Sequence, residues 1–208
     1  MDLSLLGAEF QRRFDAVMAA REVALASSRQ AIRFSANSIR ATHRGEAEEA
    51  ERLMGEARTA LDRGTEATAE QPAVRYGGYL QDAEKEYAEA RLTAALLAGT
   101  ALPGPDELRV GPAPYLNGLA EAAGEARRAI LDRLRRGEVA ESERLLEAME
   151  EIYYLLASVD YPDAITGNLR RSTDVTRSLL EKTRGDLTMS LVQGDLRDAL
   201  ERRAKDEG

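Results

Sequence analysis

Apolar side chains recur at helical spacing along nearly the whole chain, and glycine and proline interrupt that pattern at a few points. Between residues 3 and 44 there is no proline and a single glycine, Gly7. Phe14, Val17, Met18, Val23, Leu25, Ile32 and Ile39 follow one another there at roughly helical intervals. The spacing predicts one very long first helix, closed by Gly45 in a left-handed cap. A second helix is expected over 46–69, with Ala50, Leu53, Met54, Ala57 and Leu61 as its apolar stripe, and a third over 78–98. Pro103, Pro105, Pro112 and Pro114 mark 99–114 as a loop. Further helices are expected over 115–136, stopped by Gly137, and over 139–159. Asp160-Tyr161-Pro162 reads as a sharp turn with Pro162 at the first helical position of a sixth helix, 163–184. Gly185-Asp186 reads as a break before a seventh helix, 187–203. The expectation is an all-α seven-helix bundle in a single domain spanning 1–208.

Composition supports that class and narrows the chemistry. The chain has 208 residues, no tryptophan and three phenylalanines, and it is rich in helix formers. It has no cysteine, which excludes disulfide scaffolds and thiolate metal sites. With His43 as the only histidine, His-rich zinc sites are excluded and a Ser-His-Asp triad is disfavoured. No leader-like start and no long apolar run are seen, so a soluble cytoplasmic protein without a membrane partner is expected. The net charge of −8 argues against indiscriminate binding of polyanions, so any nucleic-acid surface must gather its basic groups in one place. Lysine occurs only at 85, 182 and 205, so arginine supplies 26 of the 29 basic side chains. The planar guanidinium suits phosphate, although a GC-rich genome would give the same bias.

The arginines are patterned. Arg29, Arg33, Arg40 and Arg44 fall at roughly 0°, 40°, 20° and 60° around the first helix, at about 100° per residue. No acidic residue lies between Arg29 and Arg44. Ser28, Asn37 and His43 border the stripe. The stripe serves either phosphate contact or a salt-bridge seam with Glu46, Glu48, Glu49 and Glu51 of the second helix. Arg170, Arg177 and Arg184 share a second face, but Asp174 and Glu181 follow the first two by four residues, so intrahelical pairing is the simpler account. Arg12-Arg13 and Arg135-Arg136 read as surface pairs.

The carboxylates are patterned too. Glu86 and Glu89 stand i,i+3 on the third helix, and Glu121 and Glu125 stand i,i+4 on the fourth. Two such pairs on facing helices supply the hard oxygen ligands that Mg²⁺ or Mn²⁺ prefers, a setting for phosphoryl chemistry. Ala83, Tyr87, Ala90, Ala122 and Gly124 are mostly small and would allow close approach. Ordinary surface bridges, Lys85 to Glu89 and Arg128 to Glu125, explain the same spacing. Tyr76 and Tyr79 suit either base stacking or the core, with the core expected.

Several stretches carry a family resemblance. Arg29-Gln-Ala-Ile-Arg-Phe-Ser-Ala-Asn-Ser-Ile-Arg-Ala-Thr-His-Arg-Gly-Glu46 resembles the translin superfamily, which comprises translin and translin-associated factor X. Leu80-Gln-Asp-Ala-Glu-Lys-Glu-Tyr-Ala-Glu-Ala90 is similar to the family's Leu-Gln-Glu-Tyr-x-Glu-Ala helix. Tyr115-Leu-Asn-Gly-Leu-Ala-Glu-Ala-Ala-Gly-Glu125 is similar to its Tyr-Leu-x-Gly-x-x-Asp-x-x-Gly-Glu helix. Arg170-Arg-Ser-Thr-Asp-Val-Thr-Arg177 resembles the archaeal-type members. The likeness covers nearly the whole chain, in order.

The resemblance implies a hollow homo-octamer that encloses single-stranded RNA or DNA. For the catalytic factor X branch it implies a metal-dependent endoribonuclease. The catalytic and metal-binding acids of that branch correspond to Glu86, Glu89, Glu121 and Glu125, with Mg²⁺ or Mn²⁺ as cofactor. Glu121 departs from the pattern, which has Asp there, by one methylene. Arg29, Arg33, Arg40, Arg44, Arg170 and Arg177 are the implied RNA-backbone contacts. A non-catalytic nucleic-acid-binding protein is the alternative. An all-helical nucleotide pyrophosphohydrolase fits less well, because it would continue with Glu-x-x-Asp where this chain has Glu-x-x-x-Glu.

Overall fold

Helices account for every regular element in the computed structural model, which describes residues 3–206. In chain order they are α1 (Leu3–His43), α2 (Ala47–Ala67), α3 (Pro72–Arg75), α4 (Tyr79–Ala98), α5 (Pro105–Leu108), α6 (Pro112–Leu134), α7 (Val139–Ser158), α8 (Asp163–Thr166) and α9 (Leu169–Asp206). The all-α class and the very long first helix stand as the sequence predicts. Three single-turn helices, α3, α5 and α8, punctuate six long ones. None of the described helices is long and apolar enough to cross a membrane.

Glycine endings follow the sequence closely. Gly45, Gly99 and Gly137 all adopt positive φ, at 76°, 68° and 77°. In each case the next residue's N–H reaches back five positions, Glu46 to Ala41 O, Thr100 to Ala95 O and Glu138 to Arg133 O. This satisfies a helix-end carbonyl that water would otherwise have to meet.

Two other boundaries differ from expectation. Residues 99–114 are not all loop, because Pro105 and Pro112 each open a helix, where the missing proline N–H costs nothing. The break expected at Gly185-Asp186 is absent, and α9 runs straight through it. A lone glycine lowers helix stability without ending the helix. The real interruption lies at Gly167 and Asn168, both left-handed at φ 63° and 65°, which end α8 after one turn. Asparagine is among the few side chains that tolerate this conformation.

The residues form two compact units, one comprising those up to 94 with 103–118, the other 95–102 with those from 119 onward. Helices α4 and α6 contribute to both. In the first unit α1 packs along α2. The buried face of α1 consists of Ala20, Ala24, Ser27, Ser28, Ala31, Ser35, Ser38, Ile39 and Ala41. This corrects the expectation of a core built from the larger side chains, since Phe14 and Met18 are 69% and 58% exposed. The stripe predicted for α2, by contrast, is entirely buried. Small residues let the two helix backbones approach closely. At Gly64, a Cβ would lie 2.7 Å from Leu80 Cδ2 and 3.1 Å from Ser27 Cβ, so no side chain fits where α1, α2 and α4 meet.

In the second unit α7 packs on α9. Leu145, Met149, Ile152 and Leu156 of α7 are buried, as are Leu169, Leu180 and Leu187 of α9. The C-terminal carbonyls of α4 are met by arginines: Arg144 Nη1 donates to Leu96 O at 3.1 Å and Arg133 Nη2 to Leu97 O at 3.5 Å. Cations at this end also oppose the helix dipole.

Candidate functional site

The first unit holds one acidic pair and one basic face. Glu86 and Glu89 project from one side of α4, three residues apart, and each offers a carboxylate oxygen within 4.8 Å of the other. Glu89 is only 9% exposed and Glu86 is half-buried. Lys85 Nζ lies 3.2 Å from Glu86 Oε1 and supplies neutralising charge. Two carboxylates held this close and partly out of water repel each other unless a cation lies between or beside them. The donor set is hard oxygen with no imidazole or thiolate, which fits Mg²⁺ or Mn²⁺ and not zinc.

Gly118 sets the position of α6 beside this pair. A Cβ there would sit 2.7 Å from Lys85 O, 2.9 Å from Ala88 Cβ and 2.9 Å from the Glu89 backbone nitrogen. Only glycine lets α6 cross α4 at the turn that carries the acids. Gly118 was not among the residues that spacing singled out, although it is the glycine of the Tyr-Leu-Asn-Gly stretch. Gly124, which was, meets only Leu179 Cδ1, at 3.7 Å, an ordinary contact. The stretch is anchored at its start by Tyr115, whose hydroxyl donates to Pro103 O at 3.0 Å. Burial raises the pKa of that hydroxyl.

Glu121 and Glu125 follow on the same helix, in the second unit. Glu121 is exposed and Glu125 half-buried. Arg128 Nη1 lies 3.5 Å from Glu125 Oε2, the surface bridge that spacing allowed.

The arginine stripe of α1 is solvent-facing. Arg29, Arg33, Arg40 and Arg44 are all exposed. Among the described residues no carboxylate ion-pairs with Arg29, Arg33 or Arg40. Arg33 lies over the Phe34 ring at 5.6 Å, and Arg40 Nη1 donates to Asn37 Oδ1 at 2.8 Å. Arg44 alone meets an acid, donating from Nε and Nη2 to the two oxygens of Glu46 at 2.8 and 2.5 Å. That hydrogen bonding holds the Glu46 carboxyl below the usual glutamate range and raises the Arg44 pKa. Of the expected salt-bridge seam the Arg44–Glu46 pair forms, while Glu49 turns to Arg52 and Glu51 to Arg91. Ser28 is buried and donates to Ala24 O, so it does not border the stripe as a surface group.

On α9 Arg170, Arg177 and Arg184 are each paired. Arg177 bridges to Glu181 at 3.1 Å as the spacing predicts, and the contact raises its pKa. Arg170 turns away from Asp174 to Asp160 at 3.4 Å, and Arg184 pairs with Glu150. The two tyrosines divide. Tyr79 packs partly against the Ala24, Val74 and Leu80 cluster, whereas Tyr76 is 76% exposed and is no core residue.

The all-helical fold has close counterparts among solved structures. No protein-family model matches the chain. The structure of AfC3PO superposes with a TM-score of 0.83 at 34% identity, covering 93% of this chain and 98% of that one. AfC3PO in complex with duplex RNA gives 0.82 at 33%, with the same coverage. Apo-NeC3PO gives 0.78 at 20% identity, covering 91% and 97%, and shares the fold. An uncharacterised protein of Methanocaldococcus jannaschii is 35% identical over 126 residues, which are 60% of this chain and 56% of that relative's length. The class is therefore a C3PO-like helical protein. The chain belongs to the translin superfamily.

Proposed function

We propose that this protein binds single-stranded RNA and cleaves it as a Mg²⁺-dependent endoribonuclease. The observation that carries the reading lies within one unit: the converging Glu86 and Glu89 carboxylates share it with an arginine face largely without carboxylate partners. The similarity to AfC3PO, solved with duplex RNA, supports RNA as the ligand class.

In this reading Glu86, Glu89, Glu121 and Glu125 ligate Mg²⁺ or Mn²⁺. A bound divalent cation supplies an ionised water and charge stabilisation for in-line attack on the phosphodiester. The chain's own part is to hold the carboxylates and the backbone. Arg29, Arg33, Arg40 and Arg44 grip phosphates, and Arg170 and Arg177 do so only where phosphate displaces their acidic partners. In this reading the chain assembles into a homo-octamer in the cytoplasm; exposed apolar residues support self-association, Leu6, Phe10, Phe14 and Met18 on α1, and Met189, Val192, Leu196 and Leu200 on α9.

The test is cleavage of labelled single-stranded and duplex RNA in Mg²⁺, in EDTA, and by the Glu86→Gln/Glu89→Gln variant. Cutting of the single strand that needs both metal and acids is expected. Binding without cutting in Mg²⁺ and Mn²⁺ would instead establish a non-catalytic RNA- or single-stranded-DNA-binding protein. Preference for the duplex would overturn the strand assignment.

A further inference from the structure

We propose that Tyr76 is a stacking platform for an unpaired base and sets the register of the strand on the first unit. The proposal rests on the RNA-binding reading above and adds to it a base contact. Tyr76 is 76% exposed, so its ring is open to a ligand. The turn around it is nevertheless heavily constrained. Its N–H donates to Pro72 O at 3.0 Å, and the next N–H, from Gly77, donates to Val74 O at 3.1 Å. Gln81 fastens the far side, its Nε2 donating to Arg75 O at 2.9 Å while its Oε1 accepts from the Gly78 N–H at 3.1 Å.

Two further contacts fix the same few residues. Arg75 is tied by a 3.0 Å ion pair to Glu84, whose carboxylate is almost fully buried. At Gly77 a Cβ would meet the Tyr79 hydroxyl at 2.8 Å, and Gly78 adopts φ +102°. A mobile loop tip would need none of these devices. Together they hold in one place the backbone that carries the exposed ring, which lowers the ordering cost that a flexible loop would bear on binding.

The surroundings suit a nucleic acid strand. The Arg75 guanidinium, held by Glu84, lies over one face of the Tyr76 ring at 5.9 Å from its centroid, which leaves the other face for a base. The same turn leads directly into α4. From Tyr79 to Glu86 the helix rises about 10 Å, so a base on Tyr76 would hold the strand a few nucleotides from the acidic pair. A duplex keeps its bases stacked on one another, so the ligand this ring takes is unpaired RNA.

The absence of tryptophan makes the test direct, because a Tyr76→Trp variant carries the only indole in the protein. With single-stranded RNA its emission is expected to be quenched, and with an abasic ribose-phosphate strand it is expected to be unchanged. Tyr76→Ala is expected to weaken single-stranded RNA binding on the order of tenfold, and Tyr76→Phe to keep it within about twofold. Wild-type binding together with unchanged indole emission in Tyr76→Trp and wild-type affinity in Tyr76→Ala would overturn the stacking role while leaving RNA binding intact. No binding by the wild type would overturn both.

Discussion

Arg29, Arg33, Arg40 and Arg44 share a face of α1, and Arg170, Arg177 and Arg184 share a face of α9. By sequence each set falls on one face, but only the second has acids between its arginines, and by structure they are opposites. Each of the three α9 arginines in that set meets a carboxylate, Asp160, Glu181 or Glu150. Of the four in the α1 stripe only Arg44 does. Exposed pairs of this kind contribute little to stability. They matter here because an acid already at a guanidinium must be displaced before phosphate can bind. The comparison shows that partner supply, and not spacing, distinguishes a binding surface from a solvated one.

The largest expected effect tests that distinction. Arg29→Glu/Arg33→Glu should lower affinity for labelled single-stranded RNA on the order of 100-fold at low salt, as two charge-assisted contacts are lost. Arg170→Glu/Arg177→Glu should stay within about threefold in the same fluorescence-anisotropy titration. Equal losses would erase the contrast. Salt dependence should follow the same division. Each lost phosphate contact lowers the log–log salt slope by about 0.7 on a single strand. Arg29→Ala/Arg33→Ala should flatten it by about 1.4, and the α9 alanine pair should leave it unchanged.

Smaller effects probe the pairing itself. Glu46→Gln removes the acid from Arg44 and should raise RNA affinity about two- to threefold, the scale of one exposed ion pair. Glu181→Gln should leave affinity as it is. A gain in both would mean that pairing alone decides, wherever the arginine lies. The smallest expected change is in pH dependence. Arg44 hydrogen bonding depresses the Glu46 pKa, so the folded state holds that proton less tightly than the unfolded chain. The pair's stabilisation is therefore present above the ordinary glutamate value of about 4.3 and is lost as pH falls through the depressed one. Thermal midpoints of wild type and Glu46→Gln should differ slightly at neutral pH and converge at acid pH.

Much of this architecture is legible in the sequence, and what is missed has definite causes. The α2 stripe is plain because it uses leucine and methionine. The buried face of α1 is hidden because it is built mostly of alanine and serine, whose burial leaves almost no hydropathy signal, while Phe10, Phe14 and Met18 face outward. Gly185 looks like a stop but carries no left-handed requirement, whereas Gly167-Asn168, two residue types that accept that conformation, does. At the site, the spacing of Glu86 and Glu89 follows from helix geometry alone. Pairing of Arg170 with Asp160 does not, because it depends on where the chain reverses. The necessity of Gly118 likewise appears only once α6 is laid across α4.

The unbroken course of α9 also has a consequence for how its end unfolds. Leu187 is its last buried residue among those described, and Gly185 and Gly194 sit in its interior with nothing within 4 Å of where a Cβ would be. Each glycine costs roughly 0.5–1 kcal/mol relative to alanine in a helix. An isolated helical stretch of this length is marginal in water even without them. In a lone subunit the amides of residues 192–200 should therefore exchange with solvent through local opening, far faster than those of the buried half. If the apolar stripe on this segment is covered by another subunit, exchange there will slow as protein concentration rises, and hydrogen-exchange protection becomes a local gauge of assembly.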